Sequence, residues 1–323
     1  MIYLSCQPAI PRYTWEVEVY IENFLRMGVS PQQIHCVNGL DISWKEVPED
    51  WRKLQNKFTG VNFWFYYDTR ERDNNYPPSL QAHLLEKHWI MNPHLEKEAV
   101  FFHDADFIFT KPMNFLPYLQ DDFWYLSDTI SYIGGEYIRS KGERVLDKMC
   151  EIAEIDKEWV LQNQRGSGGA QKLIKGVNAQ YWKDVFNLSM RLWREVPPVS
   201  QIIKQEYQQE GKHYHELQHW TMSMWAELWC GWKMGKVTKV VDEFKFMFAT
   251  NRIEDWEEFT FFHNAGILHT QQESLFFKGK YDNKLPYGDL LPTPNKNLAS
   301  YKYYEWIQEV GKRSCLVEPL NNS

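Results

Sequence analysis

A buried strand that ends in two carboxylates is encoded by Ala99-Val-Phe-Phe-His103-Asp104-Ala-Asp106-Phe-Ile-Phe-Thr110. Its first four residues are apolar, with β-branched and aromatic side chains, which predicts a strand buried on both faces of a parallel sheet. Carboxylates are costly to bury unless they are paired or bind a cation, and Mg²⁺ and Mn²⁺ prefer oxygen ligands. The carboxyl end of a central strand is also where open α/β sheets bind ligands. We therefore expect a divalent-cation and phosphate site at Asp104 and Asp106.

A second interpretation of the same residues needs no metal. Asp side chains at a strand-to-turn junction often accept hydrogen bonds from nearby backbone N–H groups. An Asp-X-Asp spacing also arises often by chance. The flanking apolar segments favour the metal site, because they place both acids between buried segments rather than on a solvated run.

The stretch from Phe101 to Phe109 resembles the DXD segment of nucleotide-sugar-dependent glycosyltransferases of the GT-A fold. Tyr13–Tyr20 and Asp106–Pro112 are more loosely similar to plant hydroxyproline and serine O-glycosyltransferases. The resemblance implies an α/β fold, GT-A-like and Rossmann-like, with a mixed, mostly parallel sheet flanked by helices. It also implies that Asp104 and Asp106 hold a Mn²⁺ or Mg²⁺ ion that bridges the donor diphosphate, so that Asp104 belongs to both the metal site and the donor site.

The bulk composition fits a protein that binds carbohydrates or nucleotides. Aromatic residues make up 16% of the 323 residues. Aromatic rings stack on sugars and nucleobases, although most of these rings must belong to the core. The net charge of −7 disfavours a broad electrostatic contact with nucleic acid, so nucleic acid is expected only as a modified-base acceptor.

Cysteine usage and the lack of targeting signals predict the compartment. The five cysteines are scattered without a Cys-x-x-Cys pair, which favours free thiols in a reducing environment. No signal peptide is recognisable at the N-terminus, and no apolar run approaches the roughly 18 residues of a membrane span. We expect a cytoplasmic protein, or one of the host cytoplasm if it is viral, with no membrane span.

The N-terminal part of the chain predicts a β-loop-α-β unit, the start of a doubly wound sheet. A strand over Met1–Cys6 is followed by a loop with two prolines, a helix over Tyr13–Met27 and a strand over Ile34–Val37. In nucleotide-sugar enzymes the loop after the first strand meets the nucleoside. Gln7 and Tyr13 are therefore candidate donor contacts, the alternative being that both are ordinary turn residues.

A helix over Leu80–Trp89 is predicted just before the DXD strand, with Ser79 as its N-cap. The resembling enzymes have a helix here whose first turn faces the nucleotide. Arg70, Tyr76 and Ser79 are further candidate donor contacts on that ground.

Glycines concentrate in Arg165-Gly-Ser-Gly-Gly-Ala-Gln171-Lys172. Such a stretch predicts a flexible lid or a place where backbone approaches a ligand closely, and its spacing is that of neither a P-loop nor a dinucleotide fingerprint. The corresponding region of GT-A enzymes lines the sugar and acceptor pocket, which makes Gln171 a candidate catalytic contact to the transferred sugar. The alternative is an ordinary loop ahead of a helix, and that helix is expected over Val177–Val196 with its end at Pro197.

The string His215-Glu216-Leu-Gln-His219 matches the H-E-x-x-H pattern of zinc peptidases. It recurs by chance, its surroundings are crowded with Trp, and no third ligand is evident, so the peptidase interpretation is disfavoured. Within a transferase, Glu216 is instead the candidate acid that binds an acceptor hydroxyl.

Phe261-Phe-His263-Asn-Ala-Gly266 repeats the order of apolar strand, polar ligand and glycine. Because imidazole is an acceptable ligand for Mn²⁺, His263 is predicted to be the third protein ligand of the metal. The His-x-x-Gly spacing resembles that of glycogenin-like transferases, in which a phosphate-binding lysine follows the histidine. The Lys-Pro-Trp sequence that usually carries this lysine is missing here. Lys278 and Lys280 come later in the chain. Both lysines are candidate phosphate contacts, and the alternative for His263 is a histidine hydrogen-bonded at a strand end.

These features predict one GT-A-like domain over residues 1–290 with a C-terminal extension, 291–323, packed on it. The predicted function is a metal-dependent hexosyl- or pentosyltransferase that moves a sugar from a nucleotide sugar, a UDP-sugar in the first place, to a hydroxyl of a glycan, a protein or a modified nucleobase. Two alternatives stay open. The first is a sugar-phosphate nucleotidyltransferase, which would normally have a glycine-rich basic loop after the first strand; this chain lacks such a loop. The second is a non-enzymatic carbohydrate-binding protein, which would bind sugar whether or not a chelator is present.

Overall fold

The computed structural model describes residues 1–71, 76–288 and 292–317. The strands are β1 Ile2–Pro8, β2 Ile34–Asp41, β3 Asn62–Asp68, β4 Ala99–Phe102, β5 Phe107–Phe109, β6 Trp124–Asp128, β7 Gly168–Lys175, β8 Thr238–Val240, β9 Phe246–Phe248 and β10 Phe261–His263. The α-helices are α1 Pro11–Arg26, α2 Glu49–Lys57, α3 Ser79–Met91, α4 Ile130–Ile133, α5 Gly135–Ser140, α6 Glu143–Ala153, α7 Lys157–Gln162, α8 Ala179–Gln209, α9 Met222–Lys233 and α10 Ala299–Gly311. The predicted domain boundary at residues 290–291 lies outside the described residues.

The chain divides into two compact units. The first unit consists of Met1–Tyr67, His103–Phe115 and Lys245–Ser323, and the second of Asp68–Phe102 and Leu116–Phe244. Each unit combines paired strands with α-helices, and each contains both parallel and antiparallel pairs. The predicted class, a mixed α/β fold, is confirmed.

In the first unit, β1, α1 and β2 form the predicted β-loop-α-β arrangement. Strands β1 and β2 pair in parallel, with Gln7 opposite Asn38, and β3 lies on the other side of β2. Helix α1 begins at Pro11, two residues before the predicted start, and proline suits a first helical position because its φ is already helical. The carboxyl ends of β1 and β2 and the first turn of α1 therefore lie at one edge of this sheet.

The first unit also contains a small sheet in the order β5-β10-β9. Strand β10 runs antiparallel to β5, with His263 opposite Phe107, and parallel to β9. The side chain of Asn23 on α1 fixes β5 in place: its Nδ2 donates to the Phe109 carbonyl oxygen at 3.0 Å, and the Phe109 N–H donates to its Oδ1 at 2.8 Å. Because Asp106 directly precedes β5, this register places the end of β10 beside the second carboxylate.

In the second unit the strand order is β4-β7-β6-β8. Strand β7 includes most of the glycine-rich stretch, so the prediction of a loop or lid there is wrong from Gly168 onward. Leu173 pairs antiparallel with β4 on one side and β6 on the other and is fully buried. The lysines of this strand are satisfied inside the unit, because Lys172 pairs with Glu227 and Lys175 donates to the Tyr118 carbonyl.

Close packing explains the glycines of this stretch. A Cβ at Gly168 would lie 2.3 Å from Leu126 Cβ and 2.6 Å from the Ser127 carbonyl oxygen. We expect Gly168→Ala to destabilise the fold by about 1–3 kcal/mol, since backbone must move to admit the methyl group. The neighbouring Ala170 has a φ of 54°, so Ala170→Gly is the matched control and should stabilise by up to about 1 kcal/mol. Urea unfolding of both variants checks the two signs, and equal effects would contradict the packing explanation.

Helix α8 does not end at Pro197 as the sequence predicted; it continues for another 12 residues through Gln209. A proline inside a helix removes one backbone hydrogen bond and crowds the preceding turn. The residues beyond the two prolines offset that cost by packing, since Ser200 and Ile203 are buried. Neither this helix nor any other in the described parts of the chain has the length and apolar character that crossing a bilayer requires.

Candidate metal and donor site

Asp104, Asp106 and His263 converge in the first unit. One ligand atom of each lies within 4.8 Å of the other two, and no other group of three His, Cys, Asp or Glu residues does so in the part of the chain that the structure describes. The His263 Nε2 lies 3.3 Å from Asp104 Oδ2 and 3.2 Å from Asp106 Oδ1. The pairing of β5 with β10 brings these residues together, although 157 positions separate Asp106 from His263 in the sequence.

The turn that carries the two acids is held by buried aromatic packing. His103 donates its backbone N–H to the Leu4 carbonyl, and its Nδ1 lies 2.9 Å from the Asp104 carbonyl oxygen. Its ring packs 4.9 Å from Tyr20 and 4.8 Å from Phe24, measured between ring centroids. Burial lowers the pKa of His103 to about 4, so the ring is neutral at pH 7 and serves to fix the turn.

Charge is strongly concentrated at Asp106. This carboxylate is buried, contacts the Lys278 ammonium and lies at hydrogen-bond distance from His263. Burial alone would raise the pKa of Asp106, but the positive charges of Lys278 and His263 outweigh it and hold the pKa below its usual range. Burial would likewise lower the pKa of His263, yet Asp106 and Asp104 raise it to about 9.

The donor atoms fit a hard divalent cation. Two carboxylates and one imidazole are suitable ligands for Mn²⁺, and their spacing is close to the roughly 4 Å that separates ligands on opposite sides of a small cation. The Asp104 side chain is 44% exposed whereas that of Asp106 is 4% exposed. One carboxylate is therefore open to solvent, while the other is fixed within the protein.

The first turns of α1 carry three further polar side chains of this unit. Tyr13, a predicted donor contact, accepts a hydrogen bond from Arg12 at 3.0 Å. Burial raises the pKa of Tyr13, and the negative charge of Glu16 raises it further. Arg12 and Glu16 were not predicted from the sequence; the available signal was a carboxylate between Trp15 and Val17 on the buried face of the helix.

Gln7 lies at the end of β1, with 3% of its surface exposed. Its Nε2 donates to Asn38 Oδ1 at 2.6 Å, while its Oε1 accepts no hydrogen bond from any residue that the structure describes. Lys280, the second predicted phosphate contact, is exposed and donates to the Gln272 carbonyl at 3.4 Å. Of the two lysines, Lys278 is therefore the one in contact with the acids.

Three predicted donor contacts form a hydrogen-bonded group in the second unit. Arg70 pairs with Asp68 at 2.8 Å and donates to Ser79 Oγ at 2.8 Å. Tyr76 is fully buried; its hydroxyl donates to the Trp220 carbonyl and accepts from the backbone N–H of residue 223. These contacts hold the start of α3 in place, and a role of Arg70, Tyr76 and Ser79 in donor binding stays a prediction.

The two predicted catalytic residues also lie in the second unit. Gln171, on β7, is fully buried and accepts a hydrogen bond from Ser127 at 3.2 Å. Glu216 is about one-third exposed, pairs with Lys204 and precedes the first turn of α9. The H-E-x-x-H string thus lies outside an α-helix, so His215 and His219 do not share the helical face that a zinc peptidase requires. The catalytic roles of Gln171 and Glu216 stay predictions.

No family model and no curated protein sequence matches the chain. In structure, the chain is similar to the bifunctional glycosyltransferase WbbM, with 12% identity and a TM-score of 0.48 over 97% of this chain and 51% of that one. It therefore spans about half the length of the WbbM structure. It is also similar to a glycosyltransferase involved in glycosylation of the major capsid of PBCV-1. The identity is 10%, and the TM-score is 0.36 over 83% of this chain and 95% of that one. A third similar structure is mouse xyloside xylosyltransferase 1, with 10% identity and a TM-score of 0.37 over 83% of this chain and 99% of that one. Each of the three is named as a glycosyltransferase or a xylosyltransferase.

Proposed function

We propose that this protein is a metal-dependent glycosyltransferase that moves a sugar from a nucleotide sugar, a UDP-sugar in the first place, to a hydroxyl acceptor. The observation that supports it is the cluster of Asp104, Asp106 and His263 with the Lys278 ammonium in contact. Two acids and an imidazole would hold Mn²⁺ or Mg²⁺, and the solvent-open Asp104 leaves room for the donor diphosphate.

Leaving-group stabilisation is the chemistry that this cluster supports. Departure of a nucleoside diphosphate concentrates negative charge on the phosphate oxygens, and preorganised positive charge at that point is usually the largest catalytic contribution. A bound divalent cation would supply positive charge to those oxygens. Lys278 adds a second positive charge, and the surrounding Phe107 and His103 exclude water from one side of the turn.

A cavity of about 590 Å³ in the first unit is our candidate for the nucleoside of the donor. It lies where β1 and β2 end, and its walls include Pro11, Thr14, Trp44 and Pro48. Sites for small ligands are typically about 300–1,000 Å³ and mostly apolar, with a few polar groups. The half-buried Trp44 ring offers a face on which a nucleobase can stack.

Trp44→Ala is accordingly expected to weaken UDP binding about tenfold or more, since stacking of a base on an aromatic ring contributes about 1–3 kcal/mol. Calorimetry with UDP in the presence of Mn²⁺ measures the change. Trp159→Ala is the control, because Trp159 is also accessible to solvent but belongs to the second unit. Equal affinity in the Trp44 variant and the wild type would place the nucleoside elsewhere.

The reaction class is tested by incubating the chain with a panel of UDP- and GDP-sugars and measuring hydrolysis with Mn²⁺ and with EDTA. We expect release of the nucleoside diphosphate from at least one donor with Mn²⁺ and none with EDTA. No metal-dependent release from any donor, even with hydroxyl acceptors added, would contradict the proposal. The donor that reacts also identifies the sugar.

A further inference from the structure

A second cavity in the first unit lies apart from the metal cluster. Its volume is about 590 Å³, and its walls come from the last turn of α1, from β5 and from α10, so we name it the α1–α10 cavity. Its described wall residues include no member of the metal cluster and no residue of the candidate nucleoside cavity. Asp106 precedes β5, whereas the wall of this cavity includes Thr110, which follows β5. The function proposed above therefore gives the α1–α10 cavity no role.

Aromatic rings form part of its wall. Trp256 and Tyr304 both line the cavity, and both are half-buried, so part of each ring is open to solvent. Trp256 packs on Phe262 at 5.5 Å between ring centroids, and Tyr304 packs on Tyr301 at 6.1 Å. Because neighbouring rings hold them, Trp256 and Tyr304 offer fixed, partly open surfaces with a polar group on each ring.

Most charged groups of the wall are paired with one another. Arg26 Nη1 donates to both carboxylate oxygens of Glu309, at 3.1 and 3.0 Å, and the Lys302 ammonium lies 3.5 Å from Glu305. These four side chains are between 44% and 58% exposed, so their remaining hydrogen-bonding capacity faces solvent. Lys312 adds one exposed positive charge, which salt screens at the surface. The wall is therefore polar without a strong excess of either charge.

This combination fits a neutral oligosaccharide. A sugar ring has an apolar C–H face that can pack on an aromatic ring, and its hydroxyls both donate and accept hydrogen bonds. The wall supplies carboxylates that accept from hydroxyls and cations that donate to them, and such charge-assisted hydrogen bonds are the strong ones. Gln308 adds an amide to the wall, which its Nε2 anchors by donating to the Pro286 carbonyl at 3.1 Å. The volume lies within the range of small-ligand sites, about 300–1,000 Å³.

We propose that the α1–α10 cavity is a carbohydrate-binding site for a neutral oligosaccharide, separate from the candidate site of sugar transfer. The inference goes beyond the proposed function and does not depend on it. Binding at this cavity needs neither a metal ion nor a nucleotide, because its described walls contain no residue of the metal cluster. A glycan chain held there stays on the protein whether or not a donor is bound.

The test is a set of calorimetric titrations in EDTA with neutral tetrasaccharides of glucose, xylose, mannose, galactose and N-acetylglucosamine. We expect saturable binding of at least one of these probes to the wild-type chain. Trp256→Ala and Tyr304→Ala should each weaken that binding about tenfold, because each substitution removes an aromatic face from the wall. Neither substitution should change the affinity for UDP in the presence of Mn²⁺, which also shows that the variants are folded.

Trp159→Ala is the control, since Trp159 is exposed but belongs to the second unit. Its affinity for the tetrasaccharide should equal that of the wild type. Should Trp256→Ala not fold, Tyr304→Ala alone decides the question, because Tyr304 is half-buried on the surface of α10 and not in the core.

Three results would overturn the proposal: no binding of any neutral tetrasaccharide, wild-type affinity in the folded cavity variants, or tighter binding of tetragalacturonate than of every neutral probe. The last result would assign the cavity to an anionic ligand. A chain that binds a tetrasaccharide at this cavity but no UDP with Mn²⁺ would contradict the proposed function and leave this inference standing. The two failures are therefore distinguishable.

Discussion

Asp106→Asn is expected to weaken Mn²⁺ binding by more than about 100-fold and, with it, to abolish metal-dependent binding of the donor. Loss of an outer partner of a metal site typically costs 10–100-fold in affinity, and a charged ligand contributes more. The amide keeps the shape of the carboxylate but removes the charge that attracts both Lys278 and a cation. Calorimetric titration with Mn²⁺, followed by UDP, gives both affinities.

The same substitution should affect folding much less. We expect the free energy of unfolding in EDTA to fall by about 1.5–3 kcal/mol, the usual contribution of a hydrogen bond to a charged group. Asp255→Asn is the control, because Asp255 belongs to the same unit but not to the cluster. Wild-type Mn²⁺ affinity in Asp106→Asn would contradict the assignment of a metal site to this turn.

The second large effect is expected for His263→Ala. Removing the imidazole should weaken Mn²⁺ binding about 10- to 100-fold, so that donor binding is lost at low Mn²⁺ and recovers as the Mn²⁺ concentration rises. Recovery is the distinguishing feature, because Asp104 and Asp106 remain as ligands. UDP titrations at a series of Mn²⁺ concentrations measure it.

His94→Ala provides the comparison for that experiment, since His94 is exposed and lies in the second unit. Its metal dependence should match that of the wild type. An unaltered metal dependence in His263→Ala would assign His263 to the alternative role, a histidine hydrogen-bonded at the end of β10.

The candidate metal residues Asp104 and His263 were predictable because each comes at or just after the end of a short apolar strand. Apolar runs end at His103 and His263, and strand ends are where polar ligands gather. What the sequence could not give is the register of β5 against β10, which decides whether His263 reaches Asp106. Antiparallel pairing between strands this far apart depends on the whole fold rather than on local pattern.

The contact of Lys278 with Asp106 was harder to predict for a related reason. Lys278 lies in a short 3₁₀ turn, 172 positions after Asp106 in the sequence, so no local pattern connects the two residues. Local composition also gave a wrong prediction in the second unit. The glycines of the Arg165–Lys172 stretch predicted a loop or lid, whereas Gly168–Lys175 forms a strand in which Lys172 pairs with Glu227.

Helix α8 shows the limit of local rules in another way. Two consecutive prolines predict a helix end, since each removes a backbone donor. Buried side chains beyond them favour continuation, and only the three-dimensional packing of Ser200 and Ile203 reveals that contribution.

The central claim, a cation-dependent nucleotide-sugar site at Asp104, Asp106 and His263, is tested most directly by titrating the wild-type chain with UDP, once with Mn²⁺ and once with EDTA. We predict saturable binding with Mn²⁺ and none with EDTA, because the acids repel the diphosphate unless a cation bridges them. No binding of UDP or GDP with Mn²⁺ present, or binding of equal strength in EDTA, would contradict the claim.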